Sequence, residues 1–202
     1  MLRGVARVLL VEADAVEVEA RLVAGGYSCV GCSGRLRPWG FARGRRLRDR
    51  GREVEVRPRR GRCASCLVTH VLLPTIALCR RRDLVEVIGE ALVARFLEGK
   101  SRAKVAEEAG VHRVTARRWC IRFSARAEEV RVAFTALAHD LDALLGPVVA
   151  RGSPEVDALE AVGVAAAAAA RRFGPAPLWC FVAGASGGLL LANTKCDLLP
   201  PG

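Results

Sequence analysis

No run of about 18 or more apolar residues occurs along this chain, which excludes a membrane-spanning helix on sequence grounds. The nearest approach is Leu178 to Ala192, which is short and broken by Gly184, Gly187 and Gly188. A signal-peptide core is missing too: Val8-Leu9-Leu10-Val11 is brief and runs straight into Glu12, Asp14, Glu17 and Glu19. There is no internal repeat. The expectation is a cytoplasmic protein whose eight cysteines stay reduced, so that metal binding outranks a disulfide scaffold.

Acidic residues are scarce in one region only. Between Cys29 and Arg82 stand 15 arginines against three acids (Asp49, Glu53 and Glu55), a net of +12, while the whole 202-residue chain carries +11. The excess is therefore local. A localised basic field attracts polyanions and releases their counterions on binding. A solvated arginine linker is the plainer alternative. Leu47, Val54 and Val56, which read as strand positions between the charges, speak against it.

Within this region Cys29-Val30-Gly31-Cys32 and Cys63-Ala64-Ser65-Cys66 form two C-x-x-C knuckles. Each sets two thiolates close enough to hold one ion, and the pair completes an all-thiolate tetrahedral shell, the pattern of a closed structural Zn2+ site. Disulfides or free thiols are the alternative. Cys79, Cys120, Cys180 and Cys196 have no such partner and read as buried or free thiols. Cys79 or His70 are the substitutes should one of the four not ligate.

The chain divides into four segments. Residues 1–26 predict a strand (Val5–Glu12) and a helix near Ala13–Ala24 closed by Gly25-Gly26. Residues 27–75 predict the zinc ribbon, with turns at Ser33-Gly34, Arg43-Gly44, Arg50-Gly51 and Arg60-Gly61 and an end at Pro74. Trp39 and Phe41, two apart on a strand, are expected to pack over the metal, with base stacking as the alternative. Residues 83–123 predict three helices: one capped by Asp83 and running to about Glu98, one over Ser101–Ala109, one over His112–Phe123. Residues 124–202 predict a helix over Ser124–Leu145, a helix from Pro154 to about Phe173, and a Gly- and Pro-rich tail without evident chemistry. Ala127, Val130, Phe134, Leu137, Leu141 and Leu144 form a heptad seam that either docks on the same chain or pairs two chains through residues 124–145. The fold class expected is α+β: a small β ribbon, then a mainly helical region.

The stretch from Arg102 to Trp119 fits a helix-turn-helix. Ala106 is small where the two helices touch, and Gly110 stands where the turn needs a permissive backbone. Val105, Ala109, Val111, Ala116 and Trp119 make the inner face. His112, Arg113, Arg117 and Arg118 are left on the outer face, placed to meet base edges in a major groove. Arg57, Arg59 and Arg60 of the ribbon are the candidates for phosphate contacts. The pattern departs from the usual one twice: His112 replaces the common Ser or Thr cap, and Ala116 a branched aliphatic.

Two knuckles, a basic ribbon and a helix-turn-helix in this order resemble the DNA-binding N-terminal half of certain insertion-sequence transposases. More closely, the chain resembles a family of uncharacterised actinobacterial proteins with that half and a short helical tail. The likeness rests on Cys29, Cys32, Cys63, Cys66, Leu36-Arg37-Pro38-Trp39-Gly40 and Arg102–Trp119, and covers residues 27–125; Gly187-Gly188-Leu189-Leu190 extends it weakly. It implies binding of double-stranded DNA at a promoter or a mobile-element end. The function expected is thus a zinc-stabilised, sequence-specific DNA binder. A ribbon that serves protein–protein interaction and a shortened transposase are the alternatives. Against an enzyme, the acids after Phe123 fall at surface-type helical spacing, with no strand series to gather them around metal ions.

Overall fold

The computed structural model describes residues 7–150 and 152–192. The class is α+β, a mixed sheet bearing the cysteines followed by a helical region. Its first half runs β1 (Arg7–Val11), α1 (Ala15–Val23), β2 (Leu36–Phe41), β3 (Arg45–Asp49), β4 (Arg52–Val56), β5 (Arg59–Cys63) and β6 (Thr69–Pro74). Four strands form one sheet in the order β1-β6-β5-β2, and β3 and β4 form a separate hairpin.

The N-terminal segment is part of the ribbon's sheet. β1 pairs in parallel with β6, Leu9 opposite Leu72 and Leu10 opposite Leu73. α1 then lays Val18 and Leu22 on the sheet, where they share one apolar cluster with Tyr27, Leu36, Leu72, Cys29 and Cys63. Asp14 caps α1 by accepting from the Val16 N–H at 2.7 Å, so the helix starts at Ala15. The predicted strand residues Val5 and Ala6 lie outside the described residues.

Two expectations for the ribbon fail. Arg60-Gly61 is not a turn: both residues lie inside β5, opposite Val71 and His70. A Cβ on Gly61 would stand 3.2 Å from the Leu36 Cβ, so the glycine there admits a close neighbour. Trp39 and Phe41 do not pack over the cysteine cluster; they are 51% and 49% exposed. The β2–β5 register shifts between Pro38 and Phe41, where Gly40 takes φ +79°, and this bulge turns the rings outward. Arginines cover them instead. Arg62 lies 4.5 Å from the Trp39 ring centre, and Arg59 and Arg57 lie 4.5 and 4.8 Å from that of Phe41.

The second half contains α2 (Val85–Phe96), α3 (Arg102–Glu108), α4 (Arg113–Ser124), α5 (Ala127–Leu141), α6 (Pro154–Phe173) and α7 (Leu178–Ala185). Asp83 does not cap α2. Its buried carboxylate takes both arms of Arg48, at 2.9 and 3.1 Å, and the helix begins after Leu84. Ser101 caps α3 as expected, accepting from the Lys104 N–H at 3.2 Å. Ala125 closes α4, so the next helix starts at Ala127 rather than Ser124.

The heptad seam is covered within the chain along its first half. Ala127, Val130 and Phe134 are buried against α6, whose Ala158, Ala161, Ala165 and Ala168 are small enough for close approach. The helix ends at Leu141, and Leu144 is 96% exposed. The glycine-rich tail, in which the sequence shows no evident chemistry, is a structural element as far as residue 192. Trp179, Val182, Leu190 and Leu191 are buried in the helical core. The Cys79 N–H donates to the Gly188 carbonyl at 2.9 Å, and Arg126 and Arg81 donate to the carbonyls of Leu189 and Leu191. The tail thereby links the helices to the end of the ribbon.

Candidate metal centre and nucleic-acid interface

The two knuckles are built alike. In the first, Cys29 N–H donates to the Gly34 carbonyl at 2.7 Å and Ser33 N–H to the Cys29 carbonyl at 2.8 Å. In the second, Cys63 N–H donates to Val68 at 2.9 Å and Leu67 N–H to Cys63 at 3.1 Å. Ser33 and Leu67, each directly after a second cysteine, take the left-handed backbone at φ +56° and +60°. This tight loop folds each C-x-x-C so that both sulfurs face the same point.

The four sulfurs of Cys29, Cys32, Cys63 and Cys66 lie within 4.8 Å of one another. Cys29 Sγ is 3.6 Å from Cys66 Sγ, and Cys32 Sγ 3.5 Å from Cys63 Sγ. Zn–S bonds of ~2.3 Å at tetrahedral angles require about 3.8 Å between sulfurs. The donor set and its spacing therefore fit an ion such as Zn2+. The Cys66 backbone N–H reaches the Cys63 sulfur at 3.5 Å and holds that thiol down at about 6. The Gly34 N–H pulls Cys32 down as well, but its hydrogen bonds with Cys63 and Cys66 outweigh this and push it up to about 12. A thiol raised as far as that of Cys32 needs a divalent cation beside it to ligate as the thiolate.

His70, fully buried on β6, places Nε2 3.3 Å from the Cys29 sulfur. It meets a ligand rather than replacing one. Such a contact orients the sulfur. Cys79 is not near the cluster; its Sγ lies 3.7 Å from the Gly187 carbonyl. Cys120 is buried and Cys180 half-buried, both with thiols raised by burial, while Cys196 lies outside the described residues.

The helix pair α3–α4 has the anticipated geometry at its turn. Gly110 takes φ +63°, and Val111 N–H donates to the Ala106 carbonyl at 3.0 Å. His112 does cap α4: its Nδ1 accepts from the Val114 N–H at 3.2 Å, which is how an imidazole fills the place of a hydroxyl. Ala116, Trp119 and Phe123 are buried against α2, with the Phe96 ring 5.8 Å from that of Phe123. His112, Arg113, Arg117 and Arg118 are all exposed. Among the described residues no carboxylate pairs with any of these three arginines.

The ribbon candidates divide. Arg57 is exposed, resting on Phe41. Arg59 is committed to structure, with an ion pair to Glu19 at 2.5 Å and a hydrogen bond to the Gly40 carbonyl at 2.8 Å. Arg60 is half-buried in β5. A second arginine group, which the sequence reading counted only as charge, lines a cleft between β3 and Arg80–Arg82.

No protein-family model, curated protein or solved structure matches this chain. No helix among the described residues is long and apolar enough to cross a membrane.

Proposed function

We propose that this chain is a zinc-stabilised, sequence-specific DNA-binding protein whose α4 enters the major groove, acting as a transcriptional regulator or a binder of mobile-element ends. The observation that carries the reading is the outer face of α4. Arg113, Arg117 and Arg118 are exposed and, among the described residues, lack carboxylate partners, on a helix whose opposite face is locked into the core. Arginine forks suit guanine O6 and N7, and desolvating them costs less when no ion pair must first be broken. The resemblance to actinobacterial proteins and to transposase DNA-binding halves points the same way. The ion held by Cys29, Cys32, Cys63 and Cys66 would supply folding energy to the ribbon and take no part in chemistry.

Binding proceeds without strand cleavage in this reading. Glu128 and Glu129 are exposed on α5 with Arg131 and Arg126 as their partners, and Asp142 pairs with Arg171 at 2.7 Å. The test is selection from a random-oligonucleotide pool with the zinc-loaded protein. One enriched duplex motif is expected, and it stays intact on incubation with magnesium. A pool that emerges without any motif overturns sequence-specific binding, and magnesium-dependent cleavage overturns a binding-only role.

A further inference from the structure

We infer that the cleft between β3 and Arg80–Arg82 is a phosphate site for the DNA backbone, an assignment that rests on the DNA-binding reading above. The cleft has a volume of about 490 Å³ and is lined by Arg45, Arg46, Arg48, Arg80, Arg81 and Arg82, with Glu53 as its one acid.

Main-chain hydrogen bonds fix these arginines face to face. The Arg48 N–H donates to the Arg82 carbonyl at 2.7 Å, and the Leu84 N–H to the Arg48 carbonyl at 3.0 Å. The two arginine rows cannot drift apart to relieve their repulsion. Internal compensation is partial. Arg48 is matched by Asp83, and Arg46 meets Glu53 at 3.3 Å. Among the described residues no carboxylate pairs with Arg45, Arg80 or Arg82. Arg81 is spent on the Leu191 carbonyl; burial first, and then the Arg122 guanidinium nearby, push its pKa down. A concave site with this surplus of like charge is completed by an anion, and guanidinium forks fit phosphate oxygens two at a time.

The position of the cleft selects the DNA backbone as the source of that phosphate. Arg122, whose charge reaches Arg81, belongs to α4 itself. β3 continues into the hairpin tip Arg50-Gly51, which abuts Gly110 at the turn before α4. The cleft thus borders the helix proposed to read bases, where the flanking phosphates of a major groove would lie. Of the phosphate candidates suggested by the sequence, Arg59 and Arg60 are half-buried in the sheet and Arg57 is exposed beside Phe41.

The test compares the zinc-loaded wild type with the Arg80→Ala/Arg82→Ala double variant, both residues being exposed, on the selected duplex and on a scrambled one. Zinc content and circular dichroism confirm that the variant is folded. Across about 50–200 mM salt, the variant should weaken on both duplexes alike and flatten the salt dependence by about one unit per lost phosphate contact. A variant with the wild-type slope overturns the assignment while leaving base reading by α4 intact. A wild type that binds no duplex at any salt overturns both. Calorimetry with pyrophosphate separates a backbone phosphate from a free phosphorylated molecule. Pyrophosphate displaced by duplex supports the assignment, and pyrophosphate bound equally well to the duplex complex overturns it.

Discussion

The indole of Trp179 fills the space that any side chain at Gly89 would need. A Cβ on Gly89 would stand 1.9 Å from the Trp179 Cδ2. A glycine inside a helix is worth roughly 0.5–1 kcal/mol less than alanine, so α2 tolerates it for the sake of this contact with α7. Gly89→Ala should therefore destabilise the protein by about 1–3 kcal/mol through overpacking, despite the better helix propensity. Urea unfolding reads this directly. An equally stable or more stable variant would mean that the indole does not sit there.

The purified protein should contain one zinc per chain by elemental analysis, held by the four cysteines. Cys63→Ala should lose the metal and unfold the sheet. The helical dichroism should largely survive, because the core of α2 to α6 and the cluster around the knuckles are separate. A metal-free protein that remains fully folded and binds DNA would sink the structural role of the ion.

His70 should matter to the ion without ligating it. His70→Phe keeps an aromatic of similar bulk and removes the contact to Cys29 Sγ. Metal affinity should fall about 10–100-fold in a chelator competition while the stoichiometry is unchanged. Loss of all bound metal, with the sheet still folded, would make His70 a ligand.

Arg113→Ala or Arg117→Ala should relax specificity at one or two base positions, each costing roughly 1–3 kcal/mol on the preferred duplex and little on others. If preferred and random duplexes are discriminated as before, α4 is not the reading element.

The features that were legible in the sequence are local ones. Each knuckle and the α3–α4 turn are specified by residues within a few positions of one another, so spacing alone reveals them. What sequence spacing could not show depends on distant partners. Asp83 has a cap's chemistry, but Arg48, 35 residues earlier, claims its carboxylate. Arg59 looks like a free basic residue until Glu19, 40 residues away, is placed beside it. The parallel pairing of β1 with β6 joins the N-terminal segment to the end of the ribbon region and leaves no local trace. Trp39 and Phe41 alternate correctly for a buried face, and a single bulge at Gly40 redirects them. His70 stands out in the sequence only as a substitute ligand; that it contacts the Cys29 sulfur instead depends on the fold bringing β6 beside the first knuckle, 41 residues away.

Gly110 carries a consequence beyond its turn. A Cβ there would stand 3.0 Å from the Arg50 Cα, so a bare backbone is what lets the β3–β4 tip rest on the base of α4. The arginine cleft and the outer face of α4 are therefore held at one fixed separation, as the jaws of a caliper set to one width. In the DNA-binding reading the cleft would set the angle at which α4 meets a groove and leave the choice of sequence to α4, because phosphates recur at every base step.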